Sequence, residues 1–450
     1  MRRPLLTAPA VLALVVSGAV VAAAPWAGAA PEPPAATVVS VTADGQPANA
    51  NATGPRLSGD GRQVAFVTTA TNLVDTPGQT RGAHQVVVHE PATRRNRLAS
   101  VNAEGRAGNA GAGAPAGSSN PLLSADGRVV AFNSHSTDLV AGDTNRASDV
   151  FVKDMASTEG AVRVSVTSTG EQTDRLYGSV ATGISADGRR VAFTSSARNL
   201  DGSTQTNNKL YVRDREAGTT TLASFPDTAV SSWPTISADG QFAVWGNWGR
   251  PGGPDRPCPA GTWYDHGLFL RDLATGEVTT IASQPTRCAG HELYTYPSIS
   301  ADGRLVAYVY RDPDAPAGQR SQIYLYDRLD GTSTLVSADA AGGVSDQGST
   351  FPRLAGDGRS MAFVSASTNL VDAPVTSASF LRRDLVTGEC SVIRLNPTGG
   401  AGWSSLSNYA HDGRRIAYVD GTPWSLRVYL AEHAPDPVEE PAGPVTAGSP

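Results

Sequence analysis

The chain of 450 residues is poor in the side chains that carry most redox and covalent chemistry. It has three cysteines, Cys258, Cys288 and Cys390, seven histidines, and only two lysines, Lys153 and Lys209. Three cysteines exclude a disulfide-dense scaffold and allow one bridge at most, with one thiol left over. Two lysines leave little room for lysine-based catalysis. A net charge of −6 provides no electrostatic footprint for nucleic acid, and there is no polybasic anchor for anionic lipid. No Gly-x-Ser-x-Gly elbow and no Gly-x-x-x-x-Gly-Lys phosphate loop occurs. His291-Glu292 begins a zincin pattern whose second histidine is missing. His84, His89, His135, His266, His411 and His433 lack ligand spacing. Helical periodicity is absent as well.

One apolar run stands near the N-terminus. Arg2-Arg3, an apolar stretch over 11–24 and Ala27-Gly28-Ala29 have the order of an export signal with its cleavage site. The run is short for a membrane span. The expectation is a signal peptide at 1–29, a secreted mature chain without a membrane span, and a formal charge two units more negative once Arg2 and Arg3 are gone. The segment 436–450, rich in Pro, Glu and Gly, reads as a disordered tail.

Between these ends a phrase recurs. It reads Leu57-Ser-Gly-Asp-Gly-Arg62 followed by Val64-Ala65-Phe66, and its Asp-Gly pairs begin at Asp60, Asp126, Asp187, Asp239, Asp302, Asp357 and Asp412. Asp-Gly between two apolar runs is a strong hairpin signal, because glycine takes a positive φ without strain. Each phrase therefore predicts two antiparallel strands. A third follows, as in Asp149-Val-Phe-Val-Lys-Asp154, and a fourth follows a glycine-containing turn. Four short strands at a period of 52–66 residues predict one propeller blade per repeat. The fold class is therefore all-β, a propeller over 30–435 with seven four-stranded antiparallel blades, six being the alternative. The seventh repeat lacks a fourth strand, and 36–42 matches the fourth-strand pattern. The N-terminal strand is thus expected to close the last blade.

The phrase Ser-x-Asp-Gly-Arg-x-Val-Ala-Phe, followed by a Tyr/Phe-Val-x-Asp strand, resembles the repeats of TolB-like β-propellers over about 36–435. Such repeats are common in exported bacterial proteins and in the propeller domains of some peptidases. The resemblance implies the fold, and a role in binding proteins through loops or the channel mouth. The matched positions serve the hairpin and the core, so no functional residue is carried over.

Several constellations are candidates for chemistry. Asp154, Asp214, Asp272, Asp327 and Asp384 each end a third strand; recurrence in five blades marks them as turn residues. Asp143, Asn145 and Asp149 have oxygen ligands at positions 1, 3 and 7 of a turn, a spacing used for calcium, although the later Glu is missing. No other cofactor is indicated. Cys258, in the insert 249–266, and Cys288 fall on connections expected on one face of the ring, which makes them a candidate disulfide; Cys390 is expected as a buried thiol. The residue six before each Asp-Gly pair is expected to open the innermost strand. These residues are Gly54, Asn120, Ala181, Trp233, Tyr296, Phe351 and Leu406. Trp233, Tyr296 and Phe351 come from successive blades, with Trp263, Tyr264 and Arg353 nearby in the pattern.

Two functions compete. A non-enzymatic binding or scaffold module would hold a protein, peptide or glycan on these aromatics. A carbohydrate-active enzyme, a polysaccharide lyase or glycosidase, would need converging acid and base groups, for which Asp265, His266, His291 and Arg353 are loose candidates. Binding is the leading expectation, with no nucleic-acid partner.

Overall fold

The computed structural model describes residues 35–433 except 80–81, 112–116, 175–177, 205–206, 232, 249–262, 288–293, 396 and 398–405. The side chains of 248, 263–265 and 284–287 also lie outside the description. The seven Asp-Gly phrases form seven antiparallel sheets, the blades of one ring. Blade 1 runs outward through Ala52–Leu57, Val64–Thr68, Gln85–Glu90 and Arg95–Leu98. In blade 7, Leu406–Tyr409, Arg415–Thr422 and Ser425–Glu432 are completed by Ala36–Val38, with Ala36 opposite Ala431 and Val38 opposite Tyr429. The N-terminal strand thus closes the ring. It is shorter than the segment 36–42 expected from its pattern, although the Val39 amide still donates to Val428 at 2.9 Å. Seven blades are present, not six.

The Asp-Gly phrases satisfy their own polar groups, through a serine and an amide in blades 1–5 and through the amide alone in blades 6 and 7, where Ala355 and Ala410 replace the serine. The Ser58 hydroxyl donates to Asp60 at 2.6 Å, the Arg62 amide donates to the same carboxylate at 3.0 Å, and the Gln63 amide donates to Ser58 Oγ at 3.0 Å. Gly61 has a φ of +68°, the conformation that makes glycine the preferred residue there. The Asp side chains are therefore committed to the turn.

The Val-Ala-Phe strand explains how blades stack. Successive side chains leave opposite faces of a sheet. The small residue of one blade meets the aromatic of the next: Ala65 shares a buried cluster with Phe132, Ala131 with Phe193 and Ala192 with Trp245. The pattern continues with Val244 and Tyr308, Ala307 and Phe363, and Ala362 and Tyr418, and closes with Ala417 and Phe66. Each aromatic buried this way contributes about 1.5–3 kcal/mol relative to exposure. The alternation of small and large residues lets seven wedge-shaped interfaces fill without voids.

The residue before each turn aspartate lies at the axis, where peptide hydrogen bonds pass from blade to blade. Asp60 donates to Ala125, Ala125 to Ala186, Ala186 to Ala238, Asp239 to Ala301, Ala301 to Gly356, Asp357 to His411, and His411 to Gly59. The seven bonds of 2.6–3.0 Å make a closed annulus. This end of the channel, with the Asp-Gly turns, is the hairpin face. The connections between second and third strands, and between one blade and the next, lie on the opposite loop face.

Candidate functional site

The channel between the inner strands encloses about 210 Å³, lined by residues of all seven blades. Its walls follow from a bulge that recurs in the inner strands. In blade 1 the pairing register jumps between Thr53 and Arg56; equivalent jumps occur between Ser119 and Leu122, Thr295 and Ser298, and Thr350 and Arg353. A proline sits in each: Pro55, Pro121, Pro297 and Pro352. Proline has no N–H to give to the ladder, so the extra residue of a bulge is where it fits.

The residue before that proline carries the strain. Gly54, Asn120, Trp233, Tyr296 and Phe351 have φ values of 57°, 50°, 56°, 54° and 53°. Ala181 and Leu406, followed by Thr182 and Ser407 rather than proline, do not share this conformation. Gly54, Asn120, Ala181, Tyr296 and Phe351 do not open the inner strand, as the repeat pattern suggested; each is the third residue of it, at the bulge, whereas Leu406 does begin the inner strand described for blade 7. In blade 4 the inner strand is broken into Ala229–Val230 and Thr235–Ile236, on either side of Trp233. Glycine and asparagine tolerate the left-handed region, whereas an aromatic residue there costs about 1–2 kcal/mol.

The three aromatics differ in what they touch. Trp233 lines the channel and is half-buried. Tyr296 and Phe351 meet edge to face, with ring centroids 4.5 Å apart, and each is partly exposed. Tyr296 and Phe351 also pack against the buried clusters between blades 5 and 6 and between blades 6 and 7, and the other aromatics of this sector serve packing alone. Trp245 is fully buried against Phe225 and Phe269, and Tyr294 stacks on Tyr310 at 5.4 Å.

Four residues before each Asp-Gly pair, a second layer of side chains reaches the axis. It includes Arg56 in blade 1, Thr235 in blade 4, Ser298 in blade 5, Arg353 in blade 6 and Asn408 in blade 7. Asn408 bridges to blade 1, accepting from the Leu57 amide and donating to the Leu57 carbonyl, both at 3.0 Å. Arg56 donates to the Pro55 carbonyl at 2.8 Å, and Arg353 to the Pro352 carbonyl at 3.4 Å. Desolvation in the channel pulls the Arg56 guanidinium down to about 10. Desolvation, together with the charge of Arg56, pulls Arg353 down to about 9. Among the described residues lining this cavity there is no Asp or Glu. Arg353 stands out in the sequence beside Phe351 and Arg56 does not, although both stand four residues before an Asp-Gly pair. Superposing the repeats at that position reveals the pair.

At the hairpin end the residue before the turn aspartate is Gly or Ala in six blades and His411 in the seventh. Its ring lies against Gly59 and Gly356, where an added Cβ would come within 2.7 Å of imidazole atoms. Burial lowers the His411 pKa, opposed by the charges of Asp412, Asp60 and Asp357.

The remaining candidates are dispersed. Asp143 and Asp149 both face the guanidinium of Arg163, at 3.0 and 3.2 Å, and Asn145 donates to Asp149 at 3.1 Å. The cation held between these carboxylates is thus an arginine of the same blade. Cys258 and Cys288 lie outside the described residues; Cys390 is a buried free thiol, pushed up to about 11 by desolvation. Trp263, Tyr264 and Asp265 belong to the third strand of blade 4, Trp263–Asp272, and their side chains lie outside the description, as does His291. His266 is buried on that same strand, two strands from the axis, so it does not converge with Arg353 of the inner layer. The third-strand aspartates cap turns as expected. They also pair with the arginine of the turn phrase: Arg128 with Asp154 at 2.8 Å, Arg189 with Asp214 at 3.0 Å and Arg304 with Asp327 at 2.7 Å. One residue that the sequence reading passed over is Trp424. It is 93% exposed at the tip of the hairpin between the second and third strands of blade 7, on the loop face.

No family model and no curated protein matches the chain. Solved structures of the same architecture include the oligogalacturonate lyase of Vibrio parahaemolyticus, at 13% identity over 88% of this chain and 93% of that one, with a TM-score of 0.52. The β-propeller domain of the trilobed protease of Pyrococcus furiosus matches at 14% identity over 89% and 99%, also with a TM-score of 0.52. The TolB of Acinetobacter baumannii aligns at 16% identity and a TM-score of 0.36 over 63% of this chain, which spans about half (53%) of that protein's length. These are likenesses of fold.

Proposed function

We propose that this chain is an exported, non-enzymatic β-propeller that binds a protein, peptide or glycan at the loop-face mouth of its channel. The observation that carries this reading is the retention of Trp, Tyr and Phe in a left-handed backbone in three successive blades. Blades 1 and 2 meet the same bulge with Gly54 and Asn120, which suit it. Backbone strain kept where a cheaper residue serves the fold is a mark of function. Trp233 gives the channel an aromatic wall and Trp424 adds an exposed aromatic on the same face. Large aromatic side chains dominate binding hot spots and stack on sugar rings.

The fold also houses enzymes, and the Vibrio parahaemolyticus neighbour is an oligogalacturonate lyase. The test is titration of purified protein with panels of peptides and of neutral and acidic oligosaccharides, read by tryptophan fluorescence. Trp233→Ala and Trp424→Ala should each weaken the ligand at least about tenfold while the melting temperature stays near that of the parent chain. Variants that melt lower but keep full affinity would overturn the mouth as the binding surface. Release of unsaturated products from an acidic oligosaccharide would replace binding by lyase activity.

A further inference from the structure

We propose that the outer strand of blade 4 is an open sheet edge that takes up an extended peptide segment of a partner protein by strand addition. The site lies at the rim, separate from the channel mouth. Outer strands elsewhere in the ring have two to five residues, whereas that of blade 4, Val278–Arg287, has ten. The connections that lead into blades 1, 2, 3 and 6 each carry a tight turn closed by one bridge: Val41 to Pro47, Val101 to Ala107, Val166 to Gln172 and Ala338 to Val344. These clips bond to the outer part of the blade that follows. The Val41 carbonyl accepts from the Asn96 side chain at 2.7 Å, and the Val101 carbonyl accepts from the Ala161 amide at 2.8 Å. In blade 3 the Thr220 amide donates to Ser168 Oγ at 2.9 Å, which caps an outward N–H. The Ala338 carbonyl accepts from Arg383 of blade 6 at 3.0 Å. The connection into blade 4, 223–228, has six residues against 13–19 in those four, and it forms no such bridge. Its Phe225 turns instead onto Trp245 and Phe269.

The backbone of this edge is laid out for pairing. The Asp272 amide donates to the Glu277 carbonyl at 3.0 Å, and opposed residues of an antiparallel ladder alternate between bonded and non-bonded pairs. Thr279, opposite Leu270, is therefore bonded inward. Val278 and Thr280, opposite Arg271 and Phe269, turn their N–H and C=O groups outward. Among the described residues no strand and no clip bonds to them. The six residues Val278–Ser283 carry no charge, although charge is a common guard of an exposed edge. Pro285 has no N–H to give, so it blunts the strand beyond them. Length selects the occupant. Six residues span about 20 Å. A contact that short between two whole rings falls below the roughly 1,200–2,000 Å² of a stable interface. An extended peptide needs only the main-chain ladder and alternate side-chain contacts. Half-buried Val278 and Ile281, which pack on opposite sides of the blade, offer those contacts to an uncharged segment rich in β-branched residues.

The experiment titrates the intact chain with N-acetyl-Ser-Thr-Val-Thr-Val-Thr-Ser-amide and with the same peptide N-methylated through its five central residues, followed by calorimetry and residue-resolved amide hydrogen exchange. In the free chain the Val278 and Thr280 amides should exchange faster than those of Thr279 and Thr220. The first peptide should slow both and bind at least about tenfold more tightly than its methylated form, which cannot donate to a ladder. Thr280→Pro removes one outward donor and no ladder bond, so it should cost about tenfold in affinity at a melting temperature near that of the parent chain. Trp233→Ala, in the channel, should leave the affinity unchanged. Equal binding of the two peptides, or slow exchange at Val278 and Thr280 in the free chain, would overturn the open edge. A dimer in sedimentation that Thr280→Pro abolishes would put a second copy on the edge and overturn the peptide as occupant. Binding lost in Trp233→Ala but kept in Thr280→Pro would overturn the edge and leave the mouth reading standing. No binding at millimolar concentration would overturn the proposal. The comparison of the two peptides uses the unaltered chain, so it decides even where Thr280→Pro fails to fold.

Discussion

The amide of His411 donates to the carbonyl of Gly59 at 2.6 Å, joining the last blade to the first at the axis. At the rim the same two blades are joined by the N-terminal strand, which pairs with Ser425–Glu432 beyond the third strand of blade 7. The ring is thus sealed twice, once by the inner annulus and once by an outer strand taken from the opposite end of the chain.

Removing the outer seal should unfold the ring cooperatively. Deletion through residue 40 leaves blade 7 three-stranded, exposes the edge of Ser425–Glu432, and removes Ser40, whose hydroxyl oxygen accepts from the Val428 amide at 3.2 Å. A melting temperature several degrees lower, with increased aggregation, is the expected result of differential scanning calorimetry. An unchanged melting curve would show that the inner annulus alone holds the ring.

The inner seal depends on Gly356. A Cβ at this position would stand 2.7 Å from the His411 ring and 3.0 Å from its Cα. Gly356→Ala should cost about 1–3 kcal/mol as overpacking. In a His411→Ala background the ring contacts vanish, and the penalty should fall by about 1 kcal/mol or more, a coupling read from a double-mutant cycle in urea. Additive penalties would show that the ring does not set the spacing.

Strain at Trp233 can be separated from packing by comparing two small residues. At a φ of 56°, Trp233→Gly should be more stable than Trp233→Ala by about 1 kcal/mol, because the left-handed region penalises Cβ. At Ala181, where φ is not positive, Ala→Gly should instead destabilise by about 0.5–1 kcal/mol. The same sign at both sites would contradict the bulge geometry.

Acid should undo the pairs between turn arginines and third-strand aspartates. Hydrogen bonding to Arg189 lowers Asp214 to about 2, and hydrogen bonding to Arg128 and Arg304 lowers Asp154 and Asp327. A depressed carboxylate contributes stability that is fully present above its unfolded value, about 4, and is lost as pH falls through the folded one. Circular dichroism should therefore show an unfolding midpoint that falls with pH between about 4 and 2. In Arg189→Gln that loss should begin at higher pH.

Thiol reactivity should report burial and pairing together. Cys390, pushed up to about 11, should react slowly with a thiol reagent in the native protein. After denaturation without reductant one thiol should titrate if Cys258 and Cys288 form the proposed bridge. Three would reject that bridge.

The hairpins, the blade count and the closing strand were all legible in the linear chain. They depend on near-neighbour physics: Asp-Gly at a turn, alternation along a strand, and an orphan strand at one end matching a vacancy at the other. The emphasis on Trp233, Tyr296 and Phe351 followed from the same alignment, and the X-Pro pairs that mark the bulge were readable beside them. What lies across the axis was not. That Arg56 and Arg353 stand on either side of blade 7, that His411 fills the space left by Gly59 and Gly356, and that the charge between Asp143 and Asp149 is Arg163, depend on which strands face one another once the ring has closed. Local propensity specifies each blade. Only closure brings the channel's charges close enough to feel one another, because electrostatic and steric coupling act through space between residues far apart in the chain.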